Sequence, residues 1–268
     1  MILLSKEKIL ENLKKDDLYH LDDIKIMETT KSTNEDAKFF LKHKNNKKGA
    51  FFAEQQTVGK GRNKRSWISP FGKNIYFSFA WKTNSNHSAL DGLSLATAVV
   101  VAESLQSMIN EKIEIKWPND LTIKDKKFGG ILIETVQQKR KLSEIVIGIG
   151  ININMTEKEG SAIDQKWVSL SKFSDAPLDR NLIASKLLQG ILNLSIKFPE
   201  LGFSFYKSSF QNLHMLNNKP CVIKLPDEIK IFGKVIGVNK KGEILIKSNS
   251  EILSFRYGEI SIRKEENR

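Results

Sequence analysis

The segment at residues 59–67, GKGRNKRSW, places two glycines and four cations in nine residues and closes on Trp67. Glycine allows the backbone to approach a ligand closely and to adopt positive φ angles. Lysine and arginine beside it offer charge and hydrogen-bond donors to carboxylate or phosphate oxygens. The segment therefore predicts a loop that closes over an anionic ligand. The alternative interpretation is a mobile basic loop on the surface, which the segment alone does not exclude.

Four further segments combine glycines, cations or amides with strand-like residues. KWPND at 116–120 leaves a strand through a proline turn, and KFGG at 127–130 puts a cation directly before a glycine pair. GIGININ at 148–154 interrupts an apolar strand with two glycines, which strands avoid unless a bulge or a close approach requires them. GEISIR at 258–263 closes on an arginine. Each segment by itself is explained equally well as a turn, a bulge or a chain terminus.

Together the five segments predict a flat, glycine-lined slot that suits a ligand with an apolar body, an anionic group and phosphates. No nucleophile–base pair is evident, and the pattern G-x-x-x-x-G-K-[ST] of the P-loop does not occur. An enzyme that joins a carboxylate to a nucleotide needs neither, because positioning and charge neutralisation supply most of its catalysis. The predicted rim consists of Lys60, Arg62, Arg65, Lys116 and Lys127, with Asn119 and Asn152 nearby.

The elements that position these segments predict an α+β domain followed by a β appendix. Residues 74–81 alternate as a strand does, with Ile75, Phe77 and Phe79 on one face and Tyr76 and Ser78 on the other. From residue 219 onward, short β-branched runs separated by the turn signals Pro226-Asp227 and 239–242 predict a small all-β barrel. Further strands are predicted at 50–54, 113–117, 128–136 and 144–153. Helices are predicted at 1–20, from 32, at 91–109, from 179 to Pro199, and at 203–213.

Composition limits the class of protein. The chain has 268 residues, of which 40% are hydrophobic and 28% charged, which is typical of a globular protein with room for a large and a small domain. No apolar run reaches the length of a membrane span, and no signal peptide is apparent. The single cysteine, Cys221, favours a reducing cytoplasm. The spacing of the histidines does not suit a metal site. They are His20, His43, His87 and His214.

The formal charge of +12 fits nucleic acid, an acidic protein or a phosphate-bearing ligand. The lysines are spread along the whole chain, however, and a biased genome composition explains the charge equally well. A nucleic-acid-binding protein therefore stays open as an alternative, and it predicts binding that weakens steeply with salt.

The ordered motifs resemble those of the biotin–protein ligases over residues 32–263, nearly the whole chain. The matching motifs are the glycine-rich basic loop, KWPND, KFGGILIE, GIGININ and GEISIR. The resemblance implies an α+β fold with a class II synthetase-like, lipoyl-ligase-like catalytic domain, which has a mixed sheet and flanking helices, and a small C-terminal all-β barrel. It assigns residues 1–217 to the catalytic domain, with a short N-terminal segment at 1–25, and residues 218–268 to the barrel.

The resemblance implies a two-step reaction in the cytoplasm. With Mg²⁺ assisting, the carboxylate of biotin attacks the α-phosphate of ATP and gives biotinyl-5′-AMP and pyrophosphate. The ε-amine of a lysine on the biotin carboxyl carrier protein of a carboxylase then attacks the mixed anhydride and releases AMP. A lipoyl or octanoyl ligase or transferase of the same fold is the alternative.

The same resemblance sets expectations about macromolecular partners. Family members that repress transcription carry a DNA-binding module, and the segment before Ser32 is too short for a winged helix. The chain is therefore expected to be a ligase that binds no DNA and no membrane. Family members often form homodimers through the exposed sheet of the catalytic domain, and the sequence leaves the oligomeric state open.

The resemblance also assigns roles to residues, with Lys127 beside the biotin carboxyl group and the phosphate as the first candidate for catalysis. The implied catalytic residues are Lys127, Arg62, Lys60 and Asp120, the last of which would orient Lys116 or the incoming lysine. The implied biotin-binding residues are Ser32, Thr33, Asn34, Gln56, Gly59, Lys60, Arg62, Lys127, Gly130 and Gly148. The implied ATP- and adenylate-binding residues are Arg62, Arg65, Trp67, Lys116, Asn119, Asn152, Trp167 and Arg263, and Asn152 would also lie near the metal ion.

One position departs from the family pattern. Lys60 stands where the family usually has arginine. The bidentate fork of a guanidinium is lost there and a point charge remains, which predicts a weaker clamp on the ligand.

Overall fold

The structure is a computed structural model that describes residues 2–13, 19–43, 45–85, 90–139, 142–225, 229–256, 258 and 260–265. Within these ranges the chain forms a large mixed sheet with flanking helices and a smaller antiparallel sheet, which confirms the predicted α+β class. The helices are α1 Lys6–Glu11, α2 Thr33–Leu41, α3 Leu93–Gln106 and α4 Arg180–Leu213. The strands of the large sheet are β1 Asp23–Thr30, β2 Lys48–Gln56, β3 Ile75–Thr83, β4 Glu114–Lys116, β5 Asp120–Ile123, β6 Lys126–Lys139 and β7 Leu142–Ile151.

The large sheet has seven strands in the order β1-β2-β3-β7-β6-β5-β4. β1 pairs with β2 in parallel, and the other neighbours pair antiparallel. Its central strands are buried on both faces, because α2 covers one face and α3 and α4 cover the other. Tyr76 and Ser78, predicted on the face opposite Phe77, are therefore buried as well.

Two strands of the large sheet are absent from the sequence prediction. β1 has one fully buried position, Ile24, among mostly half-buried and exposed residues, so its hydrophobic pattern is weak. β5 has only four residues and follows the turn at Pro118 directly. It forms a hairpin with β4, in which Lys116 lies opposite Asp120. This hairpin places the KWPND segment at the end of two paired strands.

The helices differ from their predicted bounds at two places. α1 covers only Lys6–Glu11 of the helix predicted over residues 1–20, and part of that range lies outside the described residues. The helix that begins after Asp179 continues past Pro199 to a break at Gly202, and the predicted third helix follows that break, so that the two together form α4. The backbone of α4 leaves the helical conformation at Gly202, with φ 58° and ψ −170°, rather than at Pro199. Positive φ is accessible to glycine at little steric cost. None of the helices in the described ranges has the length and apolar character needed to cross a membrane.

The C-terminal segment forms a five-stranded antiparallel sheet, whose strands are β8 Pro220–Lys224, β9 Lys230–Val238, β10 Ile244–Ser248, β11 Glu251–Phe255 and β12 Ser261–Lys264. The strand order in this sheet is β11-β10-β9-β8-β12. The all-β character that the sequence predicted for this segment is confirmed, and β11 and β12 are the first and last strands in the order. The predicted turn at Pro226 and Asp227 lies outside the described residues.

The N-terminal segment is fixed to the large sheet by a buried ion pair. Arg180 Nη1 donates to Glu54 Oε2 over 2.6 Å, and the two side chains are only 4% and 3% exposed. The other oxygen of Glu54 accepts from the amide of Leu4, and Arg180 Nη2 donates to the carbonyl of Ile2 over 2.8 Å. The ion pair therefore joins β2, the start of α4 and residues 2–4.

His214, at the C-terminal cap of α4, is buried and stacks on Phe210 with ring centroids 5.3 Å apart. Neither ring nitrogen has a hydrogen-bond partner among the described residues. Burial, with a contribution from nearby Lys219, lowers the pKa of His214 to about 4. The fold therefore holds this imidazole in its neutral form.

The buried neutral His214 predicts a loss of stability in acid. Its pKa is lower in the folded chain than in the unfolded chain, so its contribution is complete above the unfolded pKa of about 6.5 and is lost as pH falls toward 4. We expect the loss to be about 3 kcal/mol relative to a His214→Phe variant, measured by urea unfolding between pH 7 and pH 4. A His20→Gln variant, altered at an exposed histidine, serves as the control. A constant difference between the parent and His214→Phe over this range would contradict the prediction.

Candidate active site

A cavity of about 540 Å³ lies between the loop at residues 59–67, the turn at 116–120 and the strands β6 and β7. The sequence-predicted site residues that line it are Ser32, Thr33, Asn34, Gln56, Lys60, Arg62, Arg65, Trp67, Lys116, Asn119, Asp120, Lys127, Gly130, Gly148, Asn152 and Trp167. The structure thus brings together residues from segments that are far apart in the sequence.

Two predicted site residues do not line the cavity. Gly59 lies beneath the loop, where a Cβ atom would come within 2.5 Å of the carbonyl oxygen of Trp67. Its requirement for glycine therefore comes from chain packing. Arg263 is exposed on β12, whereas its neighbours Ser261 and Ile262 do line the cavity. The suggested contact of Arg263 with nucleotide phosphates stays a prediction.

The loop at residues 59–67 is an ordered hairpin. The amide of Trp67 donates to the carbonyl of Gly59 over 2.9 Å, and the amide of Gly61 donates to the carbonyl of Arg65 over 2.7 Å. A short 3₁₀ turn, Arg62–Lys64, forms the tip, where Asn63 has a φ of 53°. These bonds fix the direction in which the cations of the loop leave the backbone.

Arg62 is held at the turn that follows β4. Its Nη1 donates to Asn119 Oδ1 over 2.8 Å. The side-chain Nδ2 of Asn119 donates to the backbone carbonyl of Ile131 over 2.7 Å. The backbone amide of Ile131 donates to the backbone carbonyl of Asn119 over 3.1 Å. Asn119 is therefore fixed at both ends and acts as a rigid acceptor for the guanidinium.

Lys127 is held by the next residue of the same turn. Its Nζ lies 2.7 Å from Asp120 Oδ1 and 5.4 Å from the centre of the Trp67 ring. The backbone of Lys127 bonds to residues 166 and 168 on either side of Trp167. From the sequence, Asp120 was expected to orient Lys116 or the incoming lysine. Lys116 does lie opposite Asp120 in the β4–β5 hairpin, but the ion pair of Asp120 is with Lys127.

Lys60 has a different environment from Arg62. Its Nζ lies 2.7 Å from Glu35 Oε1 on α2, and both side chains are nearly half exposed. Hydrogen bonds from Lys60 and Lys38 hold the pKa of Glu35 below its usual value. Glu35 was not identified in the sequence analysis, because its only signal is a carboxylate in the first turn of a surface helix.

Uncharged polar groups form the end of the cavity near α2. Gln56 Oε1 accepts from the amide of Thr33 over 3.0 Å and from its hydroxyl over 3.2 Å. Gln56 Nε2 donates to Ser69 Oγ over 3.2 Å. Ser32 is the N-cap residue of α2, but its side chain makes no capping bond, and the side chain of Gln56 accepts from the first helical amide. This end suits a ligand group that is polar but neutral.

The glycines of β6 and β7 form a floor beneath Trp67. A Cβ atom on Gly150 would lie 2.6 Å from the indole ring, and one on Gly130 would lie 3.3 Å from it. The indole therefore packs flat against bare backbone. The Trp67 Nε1 atom is buried and lacks a hydrogen-bond partner among the described residues. Gly150 is a site residue that the role assignment omitted, although the glycine-interrupted strand that contains it was recognised.

The opposite end of the cavity carries an aromatic side chain and a buried amide. Trp167 packs against Gly160, where a Cβ atom would overlap the indole ring. Asn152 is only 4% exposed, and its Oδ1 accepts a long bond of 3.4 Å from Asn74. A flat ring and a neutral oxygen are suitable for a nucleotide base and its surroundings.

Comparison with known proteins places these features in context. Residues 26–152 match the Biotin/lipoate A/B protein ligase family. The chain is 37% identical over 217 residues to the bifunctional ligase/repressor BirA of Escherichia coli, covering 81% of this chain and 67% of that protein. It is 33% identical over 141 residues to the biotin–[acetyl-CoA-carboxylase] ligase of Mycobacterium tuberculosis, covering 51% of this chain and 50% of that protein.

Solved structures show the same fold. The biotin protein ligase from Aquifex aeolicus in complex with biotin and ATP superposes with a TM-score of 0.74 at 28% identity, covering 91% of this chain and all of that one. The ligase from Leishmania major in complex with biotinyl-5-AMP superposes with a TM-score of 0.59 at 17% identity, covering 88% and 99% of the two chains. The second likeness concerns the fold alone.

Proposed function

The chain belongs to the biotin/lipoate A/B protein ligase family, and from this premise we propose that it is an ATP-dependent biotin–protein ligase. Its first step is the formation of biotinyl-5′-AMP from biotin and ATP, and its second step transfers biotin to a lysine of a protein. The acceptor in this proposal is the carrier domain of a biotin-dependent carboxylase.

One observation carries the proposal from the geometry. Asn119 and Asp120 are consecutive residues, and they hold Arg62 and Lys127, respectively. Two cations from separate segments therefore meet at one turn on the wall of a single cavity. A biotin carboxylate and a triphosphate repel each other, and paired cations in a partly buried cleft are the groups that offset this repulsion.

In the first step, one carboxylate oxygen of biotin attacks the α-phosphorus of ATP, and the bond from that phosphorus to the bridging oxygen of pyrophosphate breaks. We assign Lys127 to the carboxylate and the α-phosphate, and Arg62 to the phosphates. The neutral hydrogen-bonding groups of Thr33 and Gln56 suit the polar but uncharged ureido ring of biotin. The reaction needs no proton transfer, which fits a cavity whose charged side chains are chiefly cations.

In the second step, the unprotonated amine of the acceptor lysine attacks the carbonyl carbon of the adenylate. The bond from that carbon to the phosphate oxygen breaks, AMP leaves, and the nitrogen loses a proton to solvent as the amide forms. Charge at the phosphate is again neutralised by the two cations. Asp120 acts on this step indirectly, because it holds Lys127 in place.

A magnesium ion fits the site as a companion of the nucleotide. The described residues contain no group of three or more histidine, cysteine or carboxylate side chains that could hold a metal ion. Magnesium commonly keeps several waters and binds through substrate phosphates with one or two protein oxygens. The amide oxygen of Asn152 at the cavity wall is such an oxygen. When bound, the ion would neutralise charge on the leaving pyrophosphate.

Incorporation of labelled biotin into a purified carrier domain tests the proposal. We expect labelling that requires both ATP and the target lysine, with excess unlabelled biotin as a competitor and excess lipoate without effect. Lack of ATP-dependent labelling would overturn the proposal. Preferential competition by lipoate would assign the chain to lipoate chemistry on the same fold.

Joint binding of the two substrates predicts synergy in thermal stability. A ligand that binds only the folded chain raises the free energy of unfolding of that chain by RT ln(1 + [L]/Kd). If biotin and ATP form a retained adenylate, we expect a rise in melting temperature that exceeds the sum of the rises with each substrate alone. The measurement is a set of thermal melts with biotin alone, with ATP alone, with biotin and ATP together, and with biotin and an ATP analogue that cannot be cleaved between the α- and β-phosphates. Additive shifts would contradict retention of the intermediate.

A further inference from the structure

A row of four alternating charges connects the basic loop to the large sheet. Lys60 Nζ lies 2.7 Å from Glu35, Lys38 Nζ lies 3.1 Å from the same Glu35 oxygen, and Lys38 also lies 2.8 Å from Glu134. The second oxygen of Glu134 accepts from Asn34 Nδ2 over 2.7 Å. The row therefore runs from the loop through α2 to β6.

The row gives the loop a second attachment point. At its tip, the loop is attached through Arg62 to Asn119 on the turn after β4. At its start, it is attached through Lys60 to Glu35 on α2. Asn119 lines the cavity itself, and Glu35 directly follows the cavity-lining residues Thr33 and Asn34 on α2. The hairpin is therefore attached at its tip and at its start to two different segments that border the cavity.

The two attachments differ in position. Arg62 and Asn119 both line the cavity, whereas the Lys60–Glu35 pair lies partly outside it. Lys60 lines the cavity with part of its length, but its ammonium is bound to Glu35, which is not a cavity-lining residue. The charge of Lys60 is thus already compensated on the outside of the loop. This explains how lysine is accommodated where a bidentate guanidinium was expected: a single carboxylate oxygen needs only a point charge.

We propose that Glu35 is a positioning residue that holds the loop closed and slows the escape of the bound adenylate. The inference rests on the proposed ligase function and adds a residue to it. Glu35 acts through Lys60 and does not contact the reactants. Glu35 is also paired with Lys38, which is paired in turn with Glu134 on β6. Opening of the loop at its start therefore requires only the Lys60–Glu35 pair to break.

The release rate of the adenylate tests the proposal. The enzyme is loaded with labelled biotin and ATP, freed of excess label, and chased with unlabelled biotin and ATP while retained label is counted by filter binding. For a Glu35→Gln variant we expect release to be about twofold to fivefold faster, which is the range for a partly exposed ion pair. Lys60→Gln should accelerate release by the same factor, and the double variant should show no further increase.

Two controls separate positioning from general loosening. Glu111→Gln breaks an exposed pair with Lys124 that lies outside the cavity lining, and it should leave release unchanged. Lys60→Arg keeps the charge and should release no faster than the parent. Equal release rates for Glu35→Gln and the parent would overturn the proposal. A Glu35→Gln variant with a lower melting temperature, in which formation of the adenylate is impaired by the same factor as its retention, would also overturn it, because that result indicates general loosening of the fold. Absence of any adenylate in the parent would instead overturn the ligase function.

Discussion

Replacement of Lys127 by methionine is expected to lower the rate of adenylate formation by about 100- to 1,000-fold, the range found for removal of one group that stabilises charge in a transition state. Methionine retains most of the apolar length of the side chain and removes only the charge. The measurement is a single-turnover assay that follows pyrophosphate release at saturating biotin and ATP. Both substrates are kept saturating so that weaker binding does not limit the measured rate. The decrease then reports the chemical step, which the charge of Lys127 is expected to accelerate.

The neighbouring lysine supplies the matched control for this variant. Lys126 is exposed and does not line the cavity, so Lys126→Met should form adenylate at the parent rate. Asp120 loses its partner in Lys127→Met, and the melting temperature should therefore be recorded for both variants. A folded Lys127→Met protein that forms adenylate within threefold of the parent rate would remove Lys127 from the mechanism.

Loss of the buried ion pair is expected to have the largest effect on stability. In Arg180→Met, the carboxylate of Glu54 stays buried without a counter-charge, and the carbonyls of Asn74 and Ile2 lose a donor. Breaking a buried pair by removing one partner typically costs about 3–5 kcal/mol. We expect a decrease of this size in the free energy of unfolding, measured by urea denaturation at pH 7.

A second substitution identifies the cause of that decrease. In Arg180→Met combined with Glu54→Gln, the buried charge is gone while an oxygen remains to accept from the amide of Leu4. The double variant should regain more than half of the lost stability. Glu111→Gln, which breaks an exposed pair, should change stability by less than about 1 kcal/mol. If the double variant is as unstable as the single one, the buried charge is not the cause.

The sequence identified the segments of the site because their chemistry is local. Glycines beside cations, a proline turn and a glycine-interrupted strand are each visible within a few residues, and the structure brings all of these segments to one cavity. The order of the motifs indicated the family. Helices α3 and α4 were recognised because apolar residues recur at helical spacing over many turns.

The pairings within the site were not visible, because they depend on the three-dimensional path of the chain. Asp120 was linked to Lys116, its neighbour across the hairpin, whereas its ion pair is with Lys127 on the adjacent strand β6. Glu35 was overlooked, since only the folded loop brings Lys60 to α2. Long-range contacts of this kind have no local sequence signal.

Errors in the secondary structure have similar causes. β1 is an edge strand with charged residues and few buried ones, so its alternation is weak. The end of the helix that begins after Asp179 was placed at Pro199 because proline disfavours a helix interior, but the break falls on Gly202, directly before the predicted third helix. The strand at residues 74–81 was predicted correctly, but alternation alone does not show whether a helix covers the second face, and Tyr76 and Ser78 on that face are buried.

A crystal structure with a non-hydrolysable analogue of biotinyl-5′-AMP tests most directly whether the turn at Asn119 and Asp120 gathers two cations around the reacting groups. We predict that Lys127 Nζ and the Arg62 guanidinium lie within hydrogen-bonding distance of the carboxyl and phosphate oxygens of the analogue, still attached to that turn. An analogue bound in the cavity with both side chains directed away from it would contradict the mechanism.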